Sequence, residues 1–159
     1  MILMHKLPAA LYHVLLTLWV GGLWTIGYLV APVLFASLDD RQLAGGVAGK
    51  LFALIGWVGL GCAAYLLAFL VWRWRRAVWR QAGWWLALAM AVLTVVSLFG
   101  IQPWMAQLKI EALPQDVMAS ALRDRFVFWH GVSSVLYLAQ SLLGLWLVVG
   151  DQMSGIRHQ

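Results

Sequence analysis

Two histidines, His13 and His130, lie inside long apolar segments of the sequence. Histidine is a common metal ligand, and a pair of histidines can hold a haem iron from its two axial sides. Ionisable side chains are costly within lipid, so a histidine in an apolar segment favours a functional site. The sequence therefore raises two questions: which elements carry these histidines, and whether the elements bring them together.

Four apolar segments dominate the chain, and each is long enough to cross a lipid bilayer. The chain has 159 residues, of which 64% are hydrophobic and 11% charged, a composition too apolar for a soluble domain. A bilayer core of about 30 Å needs about 20 helical residues. The pattern predicts an all-α integral membrane four-helix bundle, a single transmembrane domain over residues 1–159 with spans near 8–36, 46–72, 82–107 and 125–150.

The short loop between the second and third spans is rich in arginine and tryptophan. Cytoplasmic loops of membrane proteins carry an excess of basic residues, and tryptophans mark the interfaces. We therefore expect this loop in the cytoplasm, and an even number of spans then leaves both termini there too. The net charge of +5 does not indicate nucleic-acid binding, because a basic loop beside two spans is typical of an interfacial anchor. The loop residues are Arg73, Arg75, Arg76 and Arg80, with Trp72, Trp74 and Trp79.

This topology separates the two histidines. His13 lies near the cytoplasmic start of the first span, roughly 8 Å along the helix at about 1.5 Å per residue. His130 lies near the external start of the fourth span, so the two should be roughly 20 Å apart along the membrane normal. One metal ion cannot bridge that distance, and we do not expect His13 and His130 to form a shared site.

Each histidine can instead belong to a polar cluster near its own membrane face. The external, or outer, cluster would combine Tyr28, Lys50, Gln102, His130 and Ser134. Such a cluster could bind a ligand, since polar groups within spans indicate function by default. The alternative is structural, because residues near an interface are reached by water and hydroxyl or amide groups join neighbouring helices.

The cytoplasmic, or inner, cluster would combine His13, Thr17, Gln140 and Ser141. It carries the same two interpretations, a binding site or a set of interhelical hydrogen bonds. The predicted spans contain no buried carboxylate, which argues against a proton relay that uses carboxylates.

Polar and small side chains form a stripe on one face of each span when the sequence is read at 100° per residue. In lipid, small residues let helix backbones approach closely, so each stripe is expected to be the face that packs inside the bundle. The members are, in span order, His13, Thr17, Gly21, Trp24, Tyr28, Ala31 and Phe35; Gly45, Gly49, Phe52, Gly56, Gly59 and Ala63; Ala87, Ala91, Thr94, Leu98 and Gln102; and His130, Ser134, Tyr137, Ser141 and Gly144.

The chain carries no motif of a known enzyme class. HExxH, the P-loop and GxSxG are absent. Ser134 lies four residues after His130, but a serine nucleophile also needs an oriented base and an oxyanion site, and this spacing favours interhelical hydrogen bonds instead. Cys62 is the only cysteine, which excludes an intramolecular disulfide and a thiolate metal cluster. Enzymatic activity is therefore unsupported by the sequence.

Three passages together resemble a bacterial family of four-helix membrane proteins of unknown function, domain of unknown function 4149. The passages are LWVGGLWTIGYLVAPVLF, DDRQLAGGVAGKLF and WHGVSSVLYLAQSLLGLWLV. The family is related to eukaryotic transmembrane protein 205, for which a link to metal-drug resistance is known. The resemblance implies a multi-pass protein of the bacterial inner membrane without an established activity.

A shorter similarity is confined to the first span, where His13, Trp19, Gly21 and Gly22 look like a helix of the copper resistance protein D family. Membrane haem proteins use a similar pattern, so copper and haem are the cofactors that this similarity implies. Three hypotheses follow: a binding or transport-related protein using the outer cluster, a structural or assembly subunit of a homo-oligomer or larger membrane complex, and a haem- or metal-binding protein.

Overall fold

The computed structural model describes the backbone of residues 2–156 and the side chains of residues 7–151. Within this part of the chain, four helices are long and apolar enough to cross a membrane, by length and composition. Their number confirms the predicted four-helix fold, and the chain is an all-α, multi-pass membrane protein. The four spans are Leu7–Ser37, Arg41–Arg80, Ala82–Glu111 and Arg123–Asp151.

The first and third spans each contain a π-helical turn just before a proline. Thr25–Val30 precedes Pro32, and Val96–Ile101 precedes Pro103. A proline ring collides with the carbonyl four residues earlier, and a wider turn accommodates that collision without ending the helix. The helical segments on either side are Ile2–Trp24 and Ala31–Ser37 in the first span, and Ala82–Val95 and Gln102–Glu111 in the third.

The second span starts at a capped helix end. In the helix Arg41–Trp74, the Asp40 carboxylate accepts hydrogen bonds from the backbone N–H groups of Gln42 and Leu43 at 2.8 and 3.0 Å. These bonds satisfy donors that the first helical turn leaves open. The remaining helical segments are the 3-10 turns Arg75–Arg80 and Val117–Ala119 and the long helix Arg123–Ile156.

The start of the first span, the arginine-rich loop and the end of the fourth span lie at the same end of the bundle, which we call the terminal face. The Tyr65 hydroxyl donates to the Pro8 carbonyl at 3.1 Å, which joins the second span to the first. His13 contacts Asp151 at 3.1 Å, which joins the first span to the fourth. The two remaining loops lie at the other end, the opposite face.

Large apolar side chains fill the axis of the bundle. Trp19, Leu66, Met90 and Leu147 are fully buried, one from each span. The Trp19 indole lies directly over Gly59, where a Cβ atom would overlap it. A small residue on one helix therefore receives a large residue from its neighbour.

The expectation that the polar stripe of the first span packs inside the bundle is wrong. His13, Thr17, Gly21, Trp24 and Tyr28 are exposed. The glycine face of the second span packs against large side chains, not against a second row of small ones. In the first span, the large side chains that can fill this role lie on a different face from the polar stripe. The buried face consists of Tyr12, Leu16, Trp19, Val20 and Leu23.

The other stripes match the structure over all or part of their length. In the third span, Ala87, Thr94 and Leu98 are buried. Gly59 and Ala63 of the second span are buried, whereas Gly49 of the same stripe is exposed. In the fourth span, the half near the terminal face packs inside through Ser141 and Gly144, whereas His130 and Ser134 are exposed. The outer half of this stripe therefore departs from the prediction.

Candidate functional site

A buried hydrogen bond between Thr94 and Gln140 joins the third and fourth spans. The Gln140 side-chain amide donates to the Thr94 hydroxyl at 2.8 Å, and that hydroxyl donates to the Met90 carbonyl at 2.8 Å. Both side chains are almost completely buried. Each donor thus meets an acceptor where water is excluded, which is the usual way that such groups join membrane helices. The sequence placed Gln140 in the inner cluster but did not pair it with Thr94.

Tyr137 joins the fourth span to the π-helical turn of the first. Its hydroxyl donates to the Leu23 carbonyl, and its ring lies where a Cβ atom of Gly27 would be. A π turn changes the regular backbone hydrogen-bond pattern, which opens a nearby carbonyl to an outside donor. Ser141 takes part in the same contact through its backbone, because its carbonyl accepts from the Trp24 indole N–H at 3.3 Å.

His13 forms an ion-pair contact with Asp151 at the terminal face. Nδ1 of His13 lies 3.1 Å from Oδ2 of Asp151, and the His13 side chain is 57% exposed. The sequence missed Asp151 because it follows the end of the predicted fourth span. Its position seven residues after Gly144, and so on the same helical face, was the available signal.

The structure divides the predicted inner cluster. His13 meets Asp151, Gln140 meets Thr94, and the Ser141 hydroxyl donates within its own helix to the Tyr137 carbonyl at 2.8 Å. Thr17 is exposed on the outside of the first span. His13 and Gln140 therefore join helices at separate points, whereas the Ser141 hydroxyl stays within its own helix.

The outer cluster is also divided. His130 and Ser134 touch, because the Ser134 hydroxyl donates to the His130 carbonyl at 2.9 Å, and the His130 ring stacks on Phe126 at 6.0 Å. Tyr28 contacts Tyr137, with ring centroids 6.2 Å apart. Among residues 7–151, no hydrogen bond or ion pair joins Lys50 or Gln102 to these side chains.

Lys50 lines an open cavity at the start of the second span. The cavity measures about 320 Å³ and is also lined by Asp40, Gln42, Leu43, Gly46 and Val47. The Asp40 carboxylate already accepts two backbone hydrogen bonds. Both of those bonds go to Oδ1, so the lining carries two charged groups, the Asp40 carboxylate and the Lys50 ammonium.

Lys109 forms polar contacts with neighbouring spans that were not predicted from the sequence. Its ammonium lies 3.3 Å from the Gly45 carbonyl and 5.5 Å from the centre of the Phe126 ring. It therefore ties the third span to the second and fourth at the opposite face. A lysine one turn before a loop is usually solvated, so this contact could not be predicted from the position of Lys109 in the sequence.

Metal ligation gains no support from the arrangement of side chains. Within the part of the chain that the structure describes, no three His, Cys, Asp or Glu residues come together in a group that could hold a metal ion. His13 lies in a pair with Asp151, and Cys62 is buried in the apolar core.

One protein family matches this chain by comparison with family models. The family is described as Domain of unknown function (DUF4149), and its model covers residues 14–114, the first three spans. No curated protein and no solved structure matches. The resemblances to transmembrane protein 205 and to copper resistance protein D remain predictions from short sequence passages.

Proposed function

This chain belongs to the DUF4149 family, and we propose that it is an assembly subunit of a larger membrane complex. The observation that carries the proposal is the exposed outer half of the fourth span, where His130 and Ser134 flank Gly131 on the surface of the bundle. We call this surface the His130 face. A partner transmembrane helix would dock there.

The chemistry of the His130 face favours a helix over lipid. A Cβ atom at Gly131 would meet nothing within 4 Å, so a neighbouring backbone has room to approach. The His130 imidazole is exposed and has no hydrogen-bond partner among the described residues, so its ring nitrogens are open to a side chain of a partner helix. Small residues next to polar groups are the usual composition of helix interfaces in membranes.

In the fourth span, one half of the polar stripe is covered by other helices of the chain and the other half is exposed. Near the terminal face, Ser141 and Gly144 are covered, and a Cβ atom at Gly144 would lie only 3.1–3.3 Å from the side chains of Val20 and Met90. Further along, His130 and Ser134 continue the stripe without a cover, and Gly131 lies beside them on the exposed surface. A partner helix would extend to this half the packing that the chain's own helices give the other half.

The filled axis favours assembly over conduction through one chain. Trp19, Leu66, Met90 and Leu147 occupy the centre of the bundle. A transported molecule would have to displace these side chains or pass along the outside. A docking role requires neither.

Two leucine substitutions at open glycines test the proposal. Gly131→Leu fills the His130 face, whereas the control Gly61→Leu adds the same bulk on the second span, where a Cβ also meets nothing within 4 Å. Native mass spectrometry of gently extracted membranes should find a complex for the wild type and for Gly61→Leu, and a monomer for Gly131→Leu. A monomeric wild type, or equal loss in both variants, contradicts the proposal.

A binding protein is the second candidate, and the cavity beside Lys50 favours it. A bound small molecule would pair an anionic group with the Lys50 ammonium and a hydrogen-bond donor with the Asp40 carboxylate, with Gln42 as a further polar contact. Native mass spectrometry of the wild type should then find a small-molecule adduct that Lys50→Ala loses and Arg41→Ala keeps. Absence of an adduct in the wild type removes this candidate.

We also propose the bacterial inner membrane as the location, with the terminal face in the cytoplasm. The concentration of arginines in the loop at this face supports that orientation. A reporter fused after Gln159 should be active in the cytoplasm. An external signal reverses the orientation and leaves the fold unchanged.

A further inference from the structure

The loop between the second and third spans concentrates positive charge, and no ion pair joins its arginines to a carboxylate within residues 7–151. Arg73, Arg75, Arg76 and Arg80 are all exposed, and residues 41–110 contain no Asp or Glu. Among the described residues, the ion pair that forms is His13–Asp151, so no carboxylate pairs with these guanidinium groups. We call residues 72–80 the arginine loop.

Exposed tryptophans surround these arginines. Trp72, Trp79 and Trp85 are 56%, 59% and 52% exposed. Indole rings partition to the boundary between lipid tails and headgroups, so they hold the arginine loop at headgroup depth. The Arg73 guanidinium also lies 5.3 Å from the centre of the Trp74 ring, which orients one of the cations.

The arginine loop is held in a defined shape. Val78 is buried in the core, and the Trp85 indole N–H donates to the Trp79 carbonyl at 3.0 Å. The Trp79 and Trp84 rings pack at 4.6 Å. Arg75 has a φ of 47°, a backbone conformation that residues other than glycine rarely adopt and that surrounding contacts must maintain.

We propose that the arginine loop binds anionic phospholipids through their phosphate groups. Guanidinium groups bind phosphate oxygens with two parallel hydrogen bonds, and basic residues beside a span attract anionic headgroups. The depth of the arginine loop in the membrane favours a lipid as the ligand, because the tryptophans hold the cations at the level of the headgroups. A soluble acidic protein or a nucleic acid would have to displace lipid to reach all four arginines.

Charge removal at matched positions tests this lipid site. The loop variant is Arg76→Gln with Arg80→Gln, and the control is Arg41→Gln with Arg125→Gln, two exposed arginines at the opposite face. All three full-length proteins are reconstituted into vesicles of phosphatidylcholine with a minor share of phosphatidylglycerol. Lipids retained after gentle extraction are counted by native mass spectrometry.

We expect the wild type and the control to retain phosphatidylglycerol selectively. In the loop variant, the ratio of retained phosphatidylglycerol to phosphatidylcholine should fall roughly fivefold for each arginine removed, and about 25-fold for the pair. Circular dichroism and size-exclusion profiles establish that each variant is folded, and Arg76→Lys with Arg80→Lys provides a milder variant that keeps the charge. Equal retention of both lipids by the wild type overturns the proposal, as does equal loss in the control or co-purified nucleic acid at the loop.

Discussion

The Tyr137 ring occupies the space that a side chain at Gly27 would need, and its hydroxyl reaches the backbone of the same helix at Leu23. Through these contacts the fourth span packs against the first span at its π-helical turn. Phe52 of the second span packs edge-on against the Tyr137 ring at 5.1 Å, so three spans meet at this tyrosine. The absence of a side chain at position 27 is what permits this junction.

Gly27→Ala should therefore destabilise the bundle. Alanine is normally better than glycine in a helix by about 1 kcal/mol, but here its Cβ overlaps the Tyr137 ring, and overpacking costs about 1–3 kcal/mol. Gly21→Ala is the control, since a Cβ there meets nothing within 4 Å. Thermal unfolding in detergent should give a lower Tm for Gly27→Ala and an equal or higher Tm for Gly21→Ala. Equal Tm values would mean that Tyr137 can move aside.

Gly59→Ala should be destabilising for the same kind of reason, at the centre of the bundle. Its Cβ would overlap the Trp19 indole, which is fully buried and cannot swing into lipid. We expect a cost of about 1–3 kcal/mol in the free energy of unfolding. Gly61→Ala, two residues along the same helix, has open space and serves as the control. Chemical unfolding followed by tryptophan fluorescence measures both, and equal stability would contradict the packing of Trp19 on Gly59.

The sequence predicted the fold because span length and apolar composition are strong signals. It also predicted the packing face of the third span, where Ala87, Thr94 and Leu98 are buried. It failed on the first span because lipid and protein core are equally apolar. The periodicity of the sequence then separates a face of small residues from a face of large residues, but it does not predict which of the two faces packs against a neighbouring helix. Trp19 against Gly59 shows that a large residue can be the correct partner for a small one.

The polar contacts were harder to predict than the fold. Thr94 was expected on an inward face and Gln140 in a cluster, yet their hydrogen bond depends on the relative rotation of two helices. Asp151 lay outside the predicted span, so its contact with His13 was missed. Pairing between helices depends on distances that one helix's sequence does not encode. The roles of the outer and inner cluster residues remain predictions.

The Thr94–Gln140 hydrogen bond should contribute modestly to stability. Hydrogen bonds between membrane helices average about 0.6 kcal/mol and reach about 1.7 kcal/mol, because the separated helices find other partners. A double-mutant cycle with Thr94→Val and Gln140→Leu isolates this contribution, since both substitutions keep the approximate side-chain volume. We expect a coupling energy within that range from unfolding in mixed micelles. Zero coupling would mean that the two side chains act independently.

The His13–Asp151 contact should contribute little to the stability of the bundle. The two atoms lie 3.1 Å apart, but the His13 side chain is 57% exposed, and water and salt screen such a pair. We expect His13→Gln and Asp151→Asn each to change the free energy of unfolding by about 1 kcal/mol or less. The double variant should cost less than the sum of the two single variants, because the second substitution has no ion pair left to break. A strictly additive double variant would mean that the contact contributes nothing.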